Sequence, residues 1–366
     1  MAQGNGSVRA VAHTGVRTFE LVDLARPEIG DDDALVRVEA CGICGTDVER
    51  YRGTMPMRYP VIPGHEPVGV IEELGGVAAE RRGLKVGDRV AVDPFLPCAR
   101  CSWCLDGNYE LCTGWGRTRS YGAMSIDDAP GLWGGYATHL YAHPNTVLYP
   151  IPSTVEPARA TLYNPLGAGL KWGVDLTGVT VGSTLLVLGC GQRGLACLIA
   201  ARSAGARAVV VTGLSSDAHK LELARHFGAA AAVDVERENL RDVVLDLTDG
   251  VGVDAAVDTT PHAAEPILSA LELVRPTGTV VLGGLKGHGI DAFPVDHVAM
   301  ASLTIRGARG VGADAYRRAV ALVADHALDL DLLRTHEVPL DQAERAVQIL
   351  AGEIPGERPL NVVIRT

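Results

Sequence analysis

The sequence predicts an α/β protein of two domains, one of them built on a doubly wound parallel sheet. Three observations predict it. The chain has 366 residues, more than one hydrophobic core comfortably serves. Its second half alternates short apolar runs with amphipathic stretches, the pattern of strands and helices taking turns in a parallel sheet. Its first half carries four cysteines within a short loop-like segment.

Composition narrows the function. Apolar residues make up 47% and charged residues 21%, as in globular rather than disordered chains. The net charge of −11, with no long basic run, makes the chain a poor candidate for a general nucleic-acid binder, because phosphate contacts need clustered Lys and Arg. The opening "MAQGNGSVRA" shows no basic region ahead of an apolar one, so no signal peptide is expected. No window approaches the roughly 18 apolar residues of a membrane span. A cytoplasmic protein is expected, with small-molecule partners and neither nucleic acid nor membrane.

The cysteines are Cys98, Cys101, Cys104 and Cys112, spaced C-x2-C-x2-C-x7-C. In a reducing compartment such clustering points to metal rather than disulfides. Iron–sulfur clusters also take four cysteines, but their usual spacings differ. Zinc accepts four thiolates tetrahedrally. Four thiolates fill its shell, so this site is structural and the chemistry must lie elsewhere.

Two upstream segments carry further ligand types. "CGICGTD" holds Cys41 and Cys44, and "PGHEPVG" holds His65 and Glu66. Cys44, His65 and Glu66 would give one sulfur, one nitrogen and one oxygen, leaving the fourth position of a catalytic zinc open. Asp47 is placed to hold the ring N–H of His65. Thr46 offers a hydroxyl for proton transfer. Read from these residues alone, a buried Cys, a turn His and a solvated Glu remain an alternative.

Downstream, "STLLVLGCGQRGLACLIAARSAGA" reads as strand, glycine-rich turn and helix. Gly189, Gly191 and Gly194 form G-x-G-x-x-G, with Gln192 and Arg193 between them. In this context the first glycine makes the turn, the second admits a pyrophosphate and the third lets helix and strand pack. The helix N-terminus then faces the phosphates. "ARAVVVTG", "VDAAVDTT", "GTVVLGGL" and "SLTIRGAR" supply further strands. At the end of the second strand Gly213 stands where an NAD-binding protein usually places an acid. Gly213, Ser215, Ser216 and Lys220 are candidate partners of a 2′-phosphate, which leans the choice to NADP. Asp217 is the feature that keeps NAD in play, by capping the helix or contacting a ribose.

With these motifs in hand the chain resembles the zinc-containing medium-chain alcohol and polyol dehydrogenases. The resemblance rests on residues 41–47, 63–69, 98–112 and 189–194, with "KVGDRVAV" and "GGYATHL" in support, and spans nearly the whole length. It implies a GroES-like, mainly-β catalytic domain (1–163 and 304–366) with an inserted Rossmann domain (164–303). It implies a cleft between them holding zinc, substrate and nicotinamide. It carries Cys44, His65 and Glu66 over as ligands of a catalytic zinc and Thr46 as part of a proton relay. It implies two zincs per chain, NADP or NAD, a homodimer or homotetramer, and reversible hydride transfer from an alcohol whose pKa the zinc lowers.

Two positions depart from the family. Asn164 stands where a third Cys, Asp or Glu ligand is expected, and an amide is a poorer zinc ligand. Glu49 stands near the usual relay histidine and is a candidate for the same proton work. The weakened third ligand supports one rival, a zinc-independent reductase of an activated double bond or carbonyl. A nucleotide-binding sensor without turnover is the other. Trp115, Tyr121, Met124 and Trp133 lie in the long segment after the cysteine lobe. They either wall an apolar pocket for a cyclic or aromatic substrate or pack that segment onto its own domain; packing is favoured slightly.

Overall fold

The computed structural model describes residues 6–116 and 119–366. The chain divides into two compact units, one formed by residues up to Asn164 with Gly312–Thr366, the other by Pro165–Val311.

The first unit is mainly β. A hairpin of β1 (Ser7–Gly15) and β2 (Thr18–Ala25) stands apart as a two-stranded sheet. The remaining strands are β3 (Ala34–Gly42), β4 (Glu66–Leu74), β5 (Arg89–Val92), β6 (His139–Ala142), β7 (Leu148–Pro150), and the returning β14 (Arg334–Pro339) and β15 (Asn361–Arg365). They form one sheet in the order β14-β15-β3-β4-β5-β7, with β6 also on β3. Only β14 and β15 pair in parallel. Val36, Val90, Ile71 and Ala142 pack together on it. Around β1 and β15 lies the larger core, including Ile43, Tyr51, Ile62, Tyr136 and Val347.

The second unit holds β8 (Thr184–Leu188), β9 (Ala208–Gly213), β10 (Ala231–Asp234), β11 (Val253–Asp258), β12 (Val274–Leu282) and β13 (Thr304–Gly307). They form a six-stranded parallel sheet in the order β10-β9-β8-β11-β12-β13. Every residue of β8 and β9 is buried. That burial on both faces is why these strands read as unbroken apolar runs. The chain starts at β8 and builds outward to both sides, so the order reverses between β8 and β11, the switch point of a Rossmann sheet. Because β13 pairs with β12, this unit runs on to Val311 rather than ending at 303. Among the described residues no helix is long and apolar enough to cross a membrane.

Candidate active site and cofactor site

Antiparallel pairing of β3 with β4 builds the candidate metal centre. Gly42, which ends β3, lies opposite Glu66, which opens β4. The register therefore sets Cys44, two residues past β3, beside His65 and Glu66. The Cys44, His65 and Glu66 donor atoms all lie within 4.8 Å of one another, close enough to converge on one ion. Glu66 is fully buried and Cys44 is 7% exposed.

Cys44 caps the helix Gly45–Arg52, and Asp47 in its first turn ties the centre together. One carboxylate oxygen accepts from the Cys44 backbone N–H at 3.0 Å. The other stands 3.4 Å from Nδ1 of His65. Burial works against protonated His65, but the Asp47 carboxylate and the Cys44 sulfur outweigh it and hold the ring at about 10. Burial likewise works against charged Asp47, yet its carboxyl is held below the usual range by His65 and Arg50. The site thus favours positive charge where the three donors meet. A thiolate, an imidazole and a buried carboxylate around such a spot suit zinc, and a buried carboxylate is costly without a cation.

Thr46 is half-buried, with its hydroxyl 3.7 Å from the Cys44 sulfur. Glu49 lies one turn further along the same helix and accepts a hydrogen bond from the Thr54 hydroxyl. Asn164 is buried in the first unit and donates through Nδ2 to the Tyr316 hydroxyl at 3.1 Å.

The cysteine lobe has the geometry of a closed zinc site. Sulfur separations are 3.9 Å for Cys98–Cys104, 3.6 Å for Cys101–Cys104 and 3.9 Å for Cys101–Cys112. Four sulfurs about 2.3 Å from a tetrahedral zinc would stand about 3.8 Å apart. Backbone N–H groups of Cys98 and Cys101 donate to the Cys112 and Cys98 sulfurs, each at 3.3 Å. All eight cysteines are free of disulfides.

In the second unit Gly191 caps the helix Gln192–Ser203, so its amide N–H groups open directly after the glycine turn. Gln192 is buried. The Arg193 guanidinium lies over the Trp172 ring at 5.6 Å, and Trp172 sits in a π-helical turn, Lys171–Asp175. Beyond Gly213, Ser215 gives its backbone N–H to Glu236 and its hydroxyl to Asp234, both at 2.7 Å. Lys220 pairs with Asp217 at 2.8 Å, and Asp217 also accepts from the Leu214 N–H at 3.3 Å. Ser215 and Lys220, expected to receive a 2′-phosphate, thus already serve carboxylates.

The aromatic segment packs. Tyr121, Met124 and Trp133 join Val38, Val92, Leu96 and Leu140 in one buried cluster. The Trp133 and Trp115 indoles donate to the Asp128 and Leu96 carbonyls. Cys41, Cys190 and Cys197 are buried packing residues.

Comparison with known proteins agrees with this architecture. Residues 30–153 match the alcohol dehydrogenase GroES-like domain and residues 194–325 the zinc-binding dehydrogenase family. The probable alcohol dehydrogenase adh of Mycobacterium tuberculosis is 42% identical over 98% of both chains. The chain belongs to the zinc-containing medium-chain dehydrogenase/reductase family. It is a zinc-dependent NAD(P) oxidoreductase with two metal sites. Another relative of this dehydrogenase is the probable D-xylulose reductase A of Neosartorya fischeri, 31% identical over 93% of this chain and 92% of that one. Among solved structures, a zinc-binding dehydrogenase of Sinorhizobium meliloti bound to NADP superposes with a TM-score of 0.85 at 30% identity, covering 99% of this chain and all of the other.

A signal that sequence reading passed over is the pair Asp258 and Lys286. An Asp ending an apolar strand ("VDAAVD") and a single Lys after "GGL" were the available hint.

Proposed function

We propose that this dehydrogenase catalyses reversible hydride transfer between a polyol or other secondary alcohol and NAD(P). The observation that carries the reading is the convergence of Cys44, His65 and Glu66 within 4.8 Å. Zinc, when bound, supplies a Lewis acid that acidifies an alcohol or polarises a carbonyl. The nicotinamide supplies the hydride acceptor or donor. Cys44, His65 and Glu66 would hold the metal, and Asn164 is the candidate for weak completion of the shell. Asp47 fixes the ring and tautomer of His65 by facing Nδ1, which leaves Nε2 for the metal. The Thr46 hydroxyl would accept the alcohol proton while passing its own on, and Glu49, one turn along the same helix, is the candidate to carry that proton outward. A zinc-free reductase has no use for this buried, negatively charged donor set.

The polyol choice draws on relatives. One is the probable D-xylulose reductase A, and an erythritol/L-threitol dehydrogenase of Mycolicibacterium smegmatis is 28% identical over 94% of each chain. The burial of Trp133, Tyr121 and Met124 in their own cluster removes the main support for an aromatic or cyclic substrate. Measuring NAD(P)H formation over a panel of polyols, simple secondary alcohols and cyclic alcohols tests this. No turnover by zinc-loaded protein on any of them would sink the reading. A homodimer or homotetramer is proposed from the resemblance, to be checked by sedimentation.

The end of β9 bears on NADP against NAD. Gly213 in place of an acid and the NADP-bound relative support NADP. The carboxylates on Ser215 favour NAD, because a 2′-phosphate there would meet Asp234 and Glu236. Replacing both, Asp234→Asn with Glu236→Gln, should raise kcat/KM for NADP relative to NAD at least about tenfold, since like charges about 4 Å apart repel by about 1 kcal/mol in bulk water and about 4 kcal/mol near a protein surface, and about 1.4 kcal/mol is tenfold. An unchanged ratio would show that neither carboxylate faces the ribose.

A further inference from the structure

The crevice beyond the carboxyl ends of β8 and β11 is where a sheet of this order binds its ligand. One wall is the glycine turn after β8. The other begins at Asp258, the last residue of β11, which lies opposite Leu188 in register. The next residue, Thr259, gives both its backbone N–H and its hydroxyl to the Leu188 carbonyl at 2.9 Å. The loop after β11 is thus fixed to the root of the glycine turn.

A second loop, after β12, is stitched to the first. The Lys286 ammonium lies 2.7 Å from an Asp258 carboxylate oxygen, with side chains 7% and 0% exposed. The same ammonium donates to the Thr260 hydroxyl at 2.9 Å and to the Thr260 carbonyl. The Thr260 hydroxyl in turn donates to the other Asp258 oxygen. Further along, the His262 N–H donates to the Leu285 carbonyl at 3.0 Å, and His288 Nε2 reaches the His262 carbonyl at 2.8 Å. Two loops that would otherwise move separately are held as one wall. The Lys286 ammonium, hydrogen-bonded to both oxygens of Thr260 and ion-paired with Asp258, is its keystone.

A buried ion pair adds little net stability over apolar residues of similar size, while removing one partner is costly. Stability alone therefore does not call for a lysine here. Holding the crevice in its bound shape does, because a wall ordered beforehand spares the cofactor the entropy of ordering it. We propose that Lys286, through Asp258 and Thr260, is a positioning residue for the dinucleotide cofactor. Its ammonium does not touch the reacting atoms; it sets the wall against which the cofactor lies. The proposal rests on the dehydrogenase reading above.

The test is NADH and NADPH affinity of the zinc-loaded full chain, by fluorescence titration, alongside thermal melting without cofactor. The informative variant is Asp258→Asn with Lys286→Met, which leaves no buried charge uncompensated and should melt near wild type. It should bind the preferred cofactor about tenfold more weakly and raise its KM to match, because wall ordering then falls on the binding step. Zinc content and kcat at saturating cofactor should stay at wild-type values. Lys286→Arg, which keeps the charge, should recover part of the affinity. Wild-type affinity in the double variant would overturn the proposal and leave the pair a packing feature. Wild-type protein that binds neither dinucleotide would overturn the dehydrogenase reading itself, whatever the variants do.

Discussion

His65→Ala should lower kcat/KM for alcohol oxidation about a thousandfold and reduce zinc from two per chain to one. The size follows from what the metal does at this centre. Polarising the reacting oxygen is worth several kcal/mol, and about 4 kcal/mol is about three decades of rate. The loss of one zinc follows from geometry. Cys44, His65 and Glu66 form one cluster and the four lobe cysteines another, so emptying the first leaves the second intact. Melting should fall little, because the lobe still holds its metal and His65 heads no strand or helix. Asp47→Asn is the subtler companion. It keeps the ligands but replaces the carboxylate facing Nδ1 by a neutral amide, and loss of such outer partners typically costs about 10–100-fold in metal affinity. Elemental analysis and chelator competition read both variants. Full activity in His65→Ala, or two zincs retained, would refute the assignment of this centre as catalytic.

The metal sites were legible because their signal is local. Cys98 to Cys112 lie within one loop, and Cys44, His65 and Glu66 flank two strands whose pairing register alone brings them together. The parallel sheet was legible for a different reason. Strands buried on both faces cannot hide their apolar runs. What could not be read is what depends on partners distant in sequence. Ser215 meets Asp234 and Glu236 because β10 lies beside β9, and the spacing of those residues announces nothing. Asn164 meets Tyr316 across 152 positions. The far boundary at 303 cuts through "SLTIRGAR" although that run already reads as a strand of the sheet; β13 is a short, largely exposed edge strand, and its pairing with β12 carries the second unit on to Val311. Lys286 was passed over because a lone lysine in a glycine-rich loop looks solvated until its burial is known.

The glycines of the nucleotide turn give the other large effect, and they separate fold from function. A Cβ on Gly194 would sit 1.9 Å from the Gly189 carbonyl oxygen. Both atoms are fixed by backbone, so no rotamer relieves the clash, and the helix Gln192–Ser203 must shift away from the turn. Gly194→Ala should therefore destabilise by about 3 kcal/mol, the upper range of overpacking costs, and abolish measurable dinucleotide binding together with it. Gly191 is the contrast. A Cβ there meets nothing within 4 Å, and its φ of −66° suits any residue. Nothing in the protein asks for glycine at this position. We propose that the demand comes from what approaches it, a pyrophosphate lying against the backbone. Gly191→Ala should thus fold and melt as wild type without cofactor, yet lose the upward shift in melting that NADH gives wild type. A full cofactor shift in Gly191→Ala would mean that the dinucleotide does not lie against this turn.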